Sequence, residues 1–220
     1  MKVTRPLLAS LALAAAMAVF AFVTAARLPA DAVLPTHWDA SGTPDAFSPA
    51  LWALLMPAGL AVITSLIFAI IPRIEPLQDK LEGSAPLLRA CWIGVMLLFV
   101  IIQATIGLPA YGIDMPVNAI MLGVGLMLVM LGNALPKSRP GFFVGIRTPW
   151  AIMDADNWIA THRLGGKLMM LAGLVIIVTS LAPVSPEVTA IVVLVSVFGA
   201  ALVPFGYSWW LWQKGRGSKA

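Results

Sequence analysis

The sequence predicts an all-α membrane protein, a helix bundle with six transmembrane helices and both termini in the cytoplasm. Three observations predict it: the hydrophobic share of 60%, six long apolar stretches, and an alternating distribution of positive charge. A soluble domain carries about 25% charged residues, whereas this chain carries 11%. Each apolar stretch is close to the length that crosses the hydrocarbon of a bilayer. The predicted spans are 7–26, 50–71, 90–108, 117–135, 168–183 and 188–212.

The positions of Lys and Arg predict the orientation of the spans. Of the 14 basic residues, 13 lie in alternate polar segments, and only Arg27 lies in the remaining ones. Cytoplasmic segments of membrane proteins collect Lys and Arg. We therefore expect segment 136–167 inside the cell and segment 27–49 outside. Because the basic residues are spread singly, the net charge of +4 reflects this topology and does not indicate direct nucleic-acid binding.

The length of the chain predicts one integrated membrane domain, 1–220. Six spans leave little of the 220 residues for a separate globular unit. A first part, 7–71, contains the external loop 27–49, and a last part, 117–212, contains the cytoplasmic loop 136–167. In hydrocarbon every backbone polar group needs an internal partner, so we expect the spans to be helices.

The external loop is rich in turn-forming residues and is a candidate sensing segment. His37, Asp39 and Asp45 are residue types that can bind a metal or a cationic ligand. The alternative is local: the two aspartates bond nearby backbone amides, and Trp38 lies at the membrane interface. We favour the local alternative and expect no metal and no cofactor. The candidate sensing residues are Pro35, His37, Trp38, Asp39, Gly42 and Asp45.

The cytoplasmic loop is the candidate site for a ligand or a partner. Asp154 is a good N-cap, and Gly165-Gly166 is a helix-ending signal, so we expect a short interfacial helix over 154–164. His162 can change charge near neutral pH, and Asp154 on the same helix face is expected to raise its pKa. The alternative is a connector whose arginines meet lipid phosphates. The candidate residues are Arg147, Thr148, Pro149, Trp150, Trp158, Thr161, His162, Arg163 and Lys167.

Several classes of function are disfavoured by the sequence. No span carries a firmly buried ionisable residue, which is the usual mark of an ion pathway. No zinc-protease, Walker or nucleophile-elbow motif occurs, so we assign no catalytic residue. His37 and His162 are expected on opposite sides of the membrane and therefore do not share a site. The lone Cys91 forms no internal disulfide.

Motifs in both loops resemble those of a known family. The internal motif resembles the signature of the SdpI family of bacterial membrane proteins; it comprises Gly132-Asn133, Pro136, Phe143, Gly145 to Trp150, Trp158, Thr161 to Arg163, and Gly165 to Lys167. The external motif is similar to that of the DUF1648 domain; it comprises Leu34 to Trp38, Gly42 and Asp45.

The resemblance implies a multi-pass immunity protein of the bacterial inner membrane. Such a protein protects the cell against a membrane-active toxic peptide outside and can recruit a cytoplasmic regulator, here to loop 136–167. Membrane lipids are further expected partners. Ala151-Ile152 stand where the family often carries Thr-Leu, which leaves specificity open. The alternative is a membrane enzyme, or a small-molecule or lipid transporter, that acts on an anionic ligand through Arg147, His162 and Arg163.

Overall fold

A computed structural model describes residues 3–217, with the side chains of 78–81 and 216–217 left out of the description. The basic residues Lys2 and Lys219, which contribute to the predicted charge pattern, lie outside the described residues. Within the described part, six helices are long and apolar enough to cross a membrane. The predicted class, an all-α membrane bundle with six spanning helices, is therefore confirmed.

Seven α-helices and one β-hairpin make up the described chain. The strands are β1 Val33–Trp38 and β2 Pro44–Pro49. The helices are α1 Thr4–Ala25, α2 Ala50–Ile74, α3 Gln78–Gly107, α4 Asn118–Ala134, α5 Pro149–Met153, α6 Ala155–Leu181 and α7 Pro186–Gly217. Single 3-10 turns follow α3 at Leu108–Tyr111 and α4 at Leu135–Lys137. All helices except the short α5 are candidate membrane spans.

Segment 27–49, the predicted external loop, contains a β-hairpin that was not predicted from the sequence. β1 pairs antiparallel with β2, from Val33 opposite Pro49 to Trp38 opposite Pro44. Gly42 lies at the tip with a φ of 76°, a left-handed conformation that glycine adopts without steric cost. The turn-forming residues lie at the tip of the hairpin, whereas its paired flanks, 33–38 and 44–49, were not predicted to be strands.

The predicted helix 154–164 is not a separate element, and the prediction that Gly165-Gly166 ends it was wrong. α6 runs without interruption from Ala155 to Leu181. The reason is tertiary packing: a Cβ added to Gly166 would lie 2.7 Å from the carbonyl oxygen of Gly132 in α4. The glycines thus let two spans approach until their backbones touch, as small residues do in membrane bundles. Asp154 does cap α6, as predicted, by accepting from the backbone N–H of Asp156 and Asn157.

The connectivity defines two ends of the bundle. α2 has 25 residues, so about 37 Å separates its two ends. The hairpin precedes α2 and marks what we name the hairpin end; segment 135–154 packs near the last turn of α2 and marks the loop end. Buried apolar clusters fill the space between, one among α1, α2 and α3 around Ala61 and Trp92, another among α4, α6 and α7 around Ile176.

Candidate functional site: buried polar groups at the loop end

Glu75, directly after α2, holds the beginning of the loop segment. The residue is 3% exposed, and its carboxylate accepts the backbone N–H of Phe142 at 3.0 Å and of Phe143 at 3.1 Å. The N–H of Leu77 also donates to it, at 3.2 Å. A buried carboxylate with several N–H donors is a strong clamp, because hydrogen bonds to charged groups are stronger than neutral ones. Glu75 was not among the predicted site residues.

His162 is a fully buried, fully hydrogen-bonded side chain. Its Nε2 accepts the backbone N–H of Ile146 at 2.9 Å, and its Nδ1 lies 2.8 Å from the carbonyl oxygen of Trp158. Accepting at Nε2 requires the neutral ring, so Nδ1 carries the proton and donates it. The indole ring of Trp158 stacks on the imidazole at 3.9 Å between centroids. His162 therefore fixes the loop backbone and has neither nitrogen free.

The expected charge interaction between Asp154 and His162 is absent from this arrangement. The carboxylate of Asp154 is used as the cap of α6, with Oδ1 2.9 Å from the N–H of Asp156. The imidazole instead lies against the loop at Gly145, which has a φ of 122°. A Cβ on Gly145 would lie 2.6 Å from Nε2 of His162, so only glycine fits there.

Four buried polar side chains form a second group, which we name the polar latch; its members are Thr148, Asn157, Thr161 and Ser208. Ser208 of α7 donates to Oδ1 of Asn157 at 2.7 Å and lies 2.6 Å from the hydroxyl of Thr148. Thr161 donates to the same Oδ1 at 3.0 Å, and Nδ2 of Asn157 donates to the Ser208 carbonyl at 2.9 Å. The polar latch therefore ties α6 and the start of α5 to α7.

One assignment of hydroxyl donors and acceptors is consistent with all the hydrogen bonds of the polar latch. Because the Ser208 hydroxyl proton goes to Asn157, the Thr148 hydroxyl donates to Ser208. Thr148 in turn accepts the N–H of Ala151 at 3.1 Å and so caps α5. Such a satisfied network stabilises one arrangement, and losing one member leaves buried groups without partners.

The predicted internal set divides between buried and exposed residues. Thr148, Trp158, Thr161 and His162 are buried, whereas Arg147, Arg163 and Lys167 are exposed. Pro149 is exposed and Trp150 is half-buried. Arg147 donates to the carbonyl of Phe142 at 3.0 Å. The structure thus does not bring Arg147, His162 and Arg163 together around a free imidazole.

Trp150 contributes to an aromatic surface beside the latch. Its ring lies 5.7 Å from that of Phe205 and 5.9 Å from that of Trp212, both in α7. A cavity of about 370 Å³ lies among Pro149, Trp150, Met153, Trp209 and Trp212. With the exposed Arg147, two positions before Pro149 in the chain, these residues form what we name the basic-aromatic surface.

The polar groups of the hairpin are held locally and exposed. Nδ1 of His37 lies 2.6 Å from Oδ1 of Asp45 across the hairpin, and the two side chains are 68% and 46% exposed, respectively. Asp39 accepts from the backbone N–H of Ser41 and Thr43 and from the Ser41 hydroxyl. The Ser41 hydroxyl, followed by the Thr43 amide, holds the pKa of Asp39 below its ordinary value. Among the residues described, no group of three His, Cys, Asp or Glu side chains could hold a metal ion.

A small cavity lies between the hairpin and the helix bundle. It has a volume of about 210 Å³ and lies between the hairpin tip and the first turns of α4 and α7. Its lining includes His37, Trp38, Asp39, Gly42, Val117, Asn118, Pro186 and Thr189. Two of the predicted sensing residues do not line this cavity. Asp45 contacts the lining residue His37, and Pro35 lies further along β1, opposite Phe47.

Asn157 and Ser208 were not among the predicted site residues. The two residues are hydrogen-bonded to each other across 51 positions of the chain. No local feature separates either of them from the other polar residues of the helices.

Comparison with known proteins agrees with the motifs. Residues 137–208 match the SdpI/YfhL protein family, and residues 12–62 match a domain of unknown function, DUF1648. The immunity protein SdpI of Bacillus subtilis (strain 168) is 27% identical over 126 residues, which cover 57% of this chain and 60% of that protein. No solved structure matches the chain. With both regions in this order on six spanning helices, the chain is a multi-pass bacterial membrane protein similar to the SdpI family.

Proposed function

We propose that this chain is an immunity protein of the SdpI type, which protects the membrane against a membrane-active toxic peptide. One structural observation carries the proposal: α7 takes part in both polar regions. Pro186 and Thr189 line the cavity under the hairpin, and Ser208 is a member of the polar latch. From Thr189 to Ser208 the helix rises about 28 Å. The similar protein named for immunity supports the same function.

The toxic peptide binds at the hairpin end in this proposal. The segments predicted to face outward carry five acidic residues and one basic residue, so they attract a cationic peptide. His37 and Asp45 are exposed there and can exchange their mutual contact for contacts with a ligand. The adjoining cavity offers Trp38 and the first turn of α7 as further contact surface.

Transmission to the loop end proceeds through a displacement of α7. A ligand changes a distant site only if it binds two states of the protein with different affinity. α7 contains a buried proline, Pro204, which lacks the N–H of a normal helix hydrogen bond and so weakens the helix just before Ser208. A shift of this segment separates Ser208 from Thr148 and Asn157 and opens the polar latch.

The response at the loop end is the recruitment of a cytoplasmic regulator. Opening the latch frees α5, which carries Trp150 and begins two positions after the exposed Arg147 along the chain. Arginine side chains bind carboxylates in a bidentate manner. The regulator therefore presents an acidic surface, and lipid headgroups occupy the basic-aromatic surface when it is absent.

Deletion of the gene tests the protective function. We expect the deleted strain to become sensitive to at least one cationic membrane-active peptide, and the wild-type gene to restore resistance. Ser208→Ala should restore less resistance, while Ser196→Ala, a serine on the same helix outside the polar latch, should restore it fully. Unchanged sensitivity across a broad panel of peptides contradicts the proposal.

The enzymatic or transport alternative has less support. It needs an imidazole that can exchange a proton with a ligand, whereas both nitrogens of His162 are hydrogen-bonded inside the protein. Turnover or transport of an anionic lipid precursor by the purified protein, abolished in a folded His162→Gln variant, would reverse this preference.

A further inference from the structure

A groove of about 500 Å³ runs along the outside of the bundle between α1 and α3 at the loop end. It belongs to neither polar region described above. Its walls are apolar, and two arginines lie at its mouth. Its lining includes Arg5, Leu13, Arg89, Trp92, Ile93 and Leu97.

Each of the two arginines begins a helix face that lines the groove. Arg5 begins the series Arg5, Ala9 and Leu13 along α1, and Arg89 begins the series Arg89, Ile93 and Leu97 along α3, each at spacings of four residues. Residues spaced in this way lie on one helix face. Both arginines are exposed, and neither forms an ion pair with an acidic side chain within the part of the chain whose side chains are described. Their charges are therefore available to a ligand.

Trp92 supplies an independent observation. The residue is 3% exposed, yet its indole N–H is buried without a hydrogen-bond partner among the residues described. A buried donor without a partner is costly, and indole N–H groups normally find one. Trp92 lies one helical turn below Arg89, a rise of about 4.5 Å. Because Trp92 also lines the groove, an acceptor bound there is a candidate partner for the indole N–H.

The order of these groups matches the order of groups in a glycerophospholipid. We propose that the groove binds one anionic phospholipid, with its phosphate at Arg5 and Arg89, an ester carbonyl at the indole N–H of Trp92, and an acyl chain along Leu13, Ile93 and Leu97. A bilayer supplies such a molecule at this depth, and basic pockets between membrane helices are suited to anionic headgroups. The site is independent of the proposed immunity function.

Native mass spectrometry of the full chain in detergent tests the site. The protein is titrated with phosphatidylglycerol and with phosphatidylcholine of identical acyl chains. We expect about 20- to 30-fold tighter binding of phosphatidylglycerol, because each nearby cation favours an anionic lipid. Arg5→Gln/Arg89→Gln should reduce this preference to about 2-fold, whereas Arg27→Gln, at the hairpin end, should leave it unchanged. Equal binding of the two lipids, or an unchanged preference in the double variant, overturns the proposal.

Two further measurements identify the occupant. Trp92→Phe should weaken both lipids by about 5-fold without changing the preference between them, because it removes one hydrogen bond and leaves the cations in place. An unchanged affinity in this variant overturns the ester contact. Soluble glycerol phosphate should not displace the lipid; displacement at equal concentration would assign the arginines to a free phosphate. A protein dimer that forms in place of the lipid adduct would assign the groove to a second copy of the chain.

Discussion

Each of the two polar segments of this protein contains one histidine, and the two histidines are held in opposite ways. His37 in the hairpin is exposed and pairs with Asp45, eight positions away. His162 at the loop end is buried and bonds the backbone of Ile146, with its ring stacked on Trp158. In the exposed pair, His37 and Asp45 exchange hydrogen bonds with water for a bond with each other. In the buried arrangement, the hydrogen bonds of His162 satisfy groups that water cannot reach.

The same contrast holds for the whole of each segment. The polar contacts of the hairpin join Asp39, Ser41 and Thr43 within a few positions and remain in solvent. Those of the loop end join distant elements, as in the bond between Ser208 and Asn157. Buried polar groups contribute stability only while all of them are paired. The loop end is therefore rigid and sensitive to substitution, and the hairpin is tolerant and free to rearrange around a ligand.

The largest expected effect separates the two histidines directly. His162→Ala should lower the free energy of unfolding by about 3 kcal/mol, since it leaves the Ile146 N–H without its acceptor and creates a cavity beside Trp158. His37→Ala should lower it by less than about 0.5 kcal/mol, as expected for an exposed pair. Reversible unfolding in mixed detergent micelles measures both. Equal losses would show that the contrast between the two segments is wrong.

The next effect concerns one acidic residue in each segment, Glu75 at the loop end and Asp45 in the hairpin. Glu75→Gln should lower the free energy of unfolding by about 2 kcal/mol, because the N–H groups of Phe142 and Phe143 lose a charged acceptor. Asp45→Asn, the matched change in the hairpin, should cost less than about 1 kcal/mol. Proteolysis within segment 138–147 should increase only in the Glu75 variant. Faster cleavage of the hairpin in that variant would contradict the local role assigned to Glu75.

Some parts of this structure follow from local sequence and others do not. Hydropathy and length predict the six spans, and the Asp154 cap is visible because capping involves only neighbouring residues. Small residues within a span are a local sign of close helix packing, and Gly125 and Gly132 fit it, since added Cβ atoms there would meet the α6 backbone. The same local logic fails at Gly165-Gly166, where contact with α4 keeps α6 helical. Tertiary packing overrides the weak preference of glycine against the helix.

The candidate site shows the same division. The buried histidine and its neighbours were found because the motif is contiguous along the chain. Glu75 and Ser208 were missed because their partners lie 67 and 51 positions away, and nothing local distinguishes them from other polar residues at helix ends. The hairpin was missed because its strands depend on pairing with each other. Contacts between residues that are distant in sequence can be identified only in the folded structure, where the elements lie side by side.

A smaller effect tests whether the polar latch acts as one unit. Thr148→Val and Ser208→Ala each remove a hydroxyl from the same chain of bonds, so the double variant should lose less stability than the two single losses added together. We expect a coupling free energy of about 1 kcal/mol from a double-mutant cycle in the same micelles. Ser41→Ala with Ser208→Ala, one change at each end of the bundle, should be additive within about 0.3 kcal/mol. Coupling in this second cycle would show that the hairpin and the latch communicate even without a ligand.

The smallest effect lies at the tip of the hairpin and depends on pH. The folded-state pKa of Asp39 is below the ordinary value of 3.8, mainly because the Ser41 hydroxyl bonds the carboxylate. The contribution of Asp39 is therefore fully present above that ordinary value and is lost as the pH falls through the lower, folded-state pKa. Amide hydrogen exchange at Ser41 and Thr43 should stay protected down to about pH 4 and increase only below it, after correction for intrinsic exchange. In Asp39→Asn the protection should be weaker than in the wild type above about pH 4 and should not change across this range. Loss of protection at higher pH would show that the tip is held by groups other than Asp39, and the hairpin would then be less locally organised than the comparison with the loop end requires.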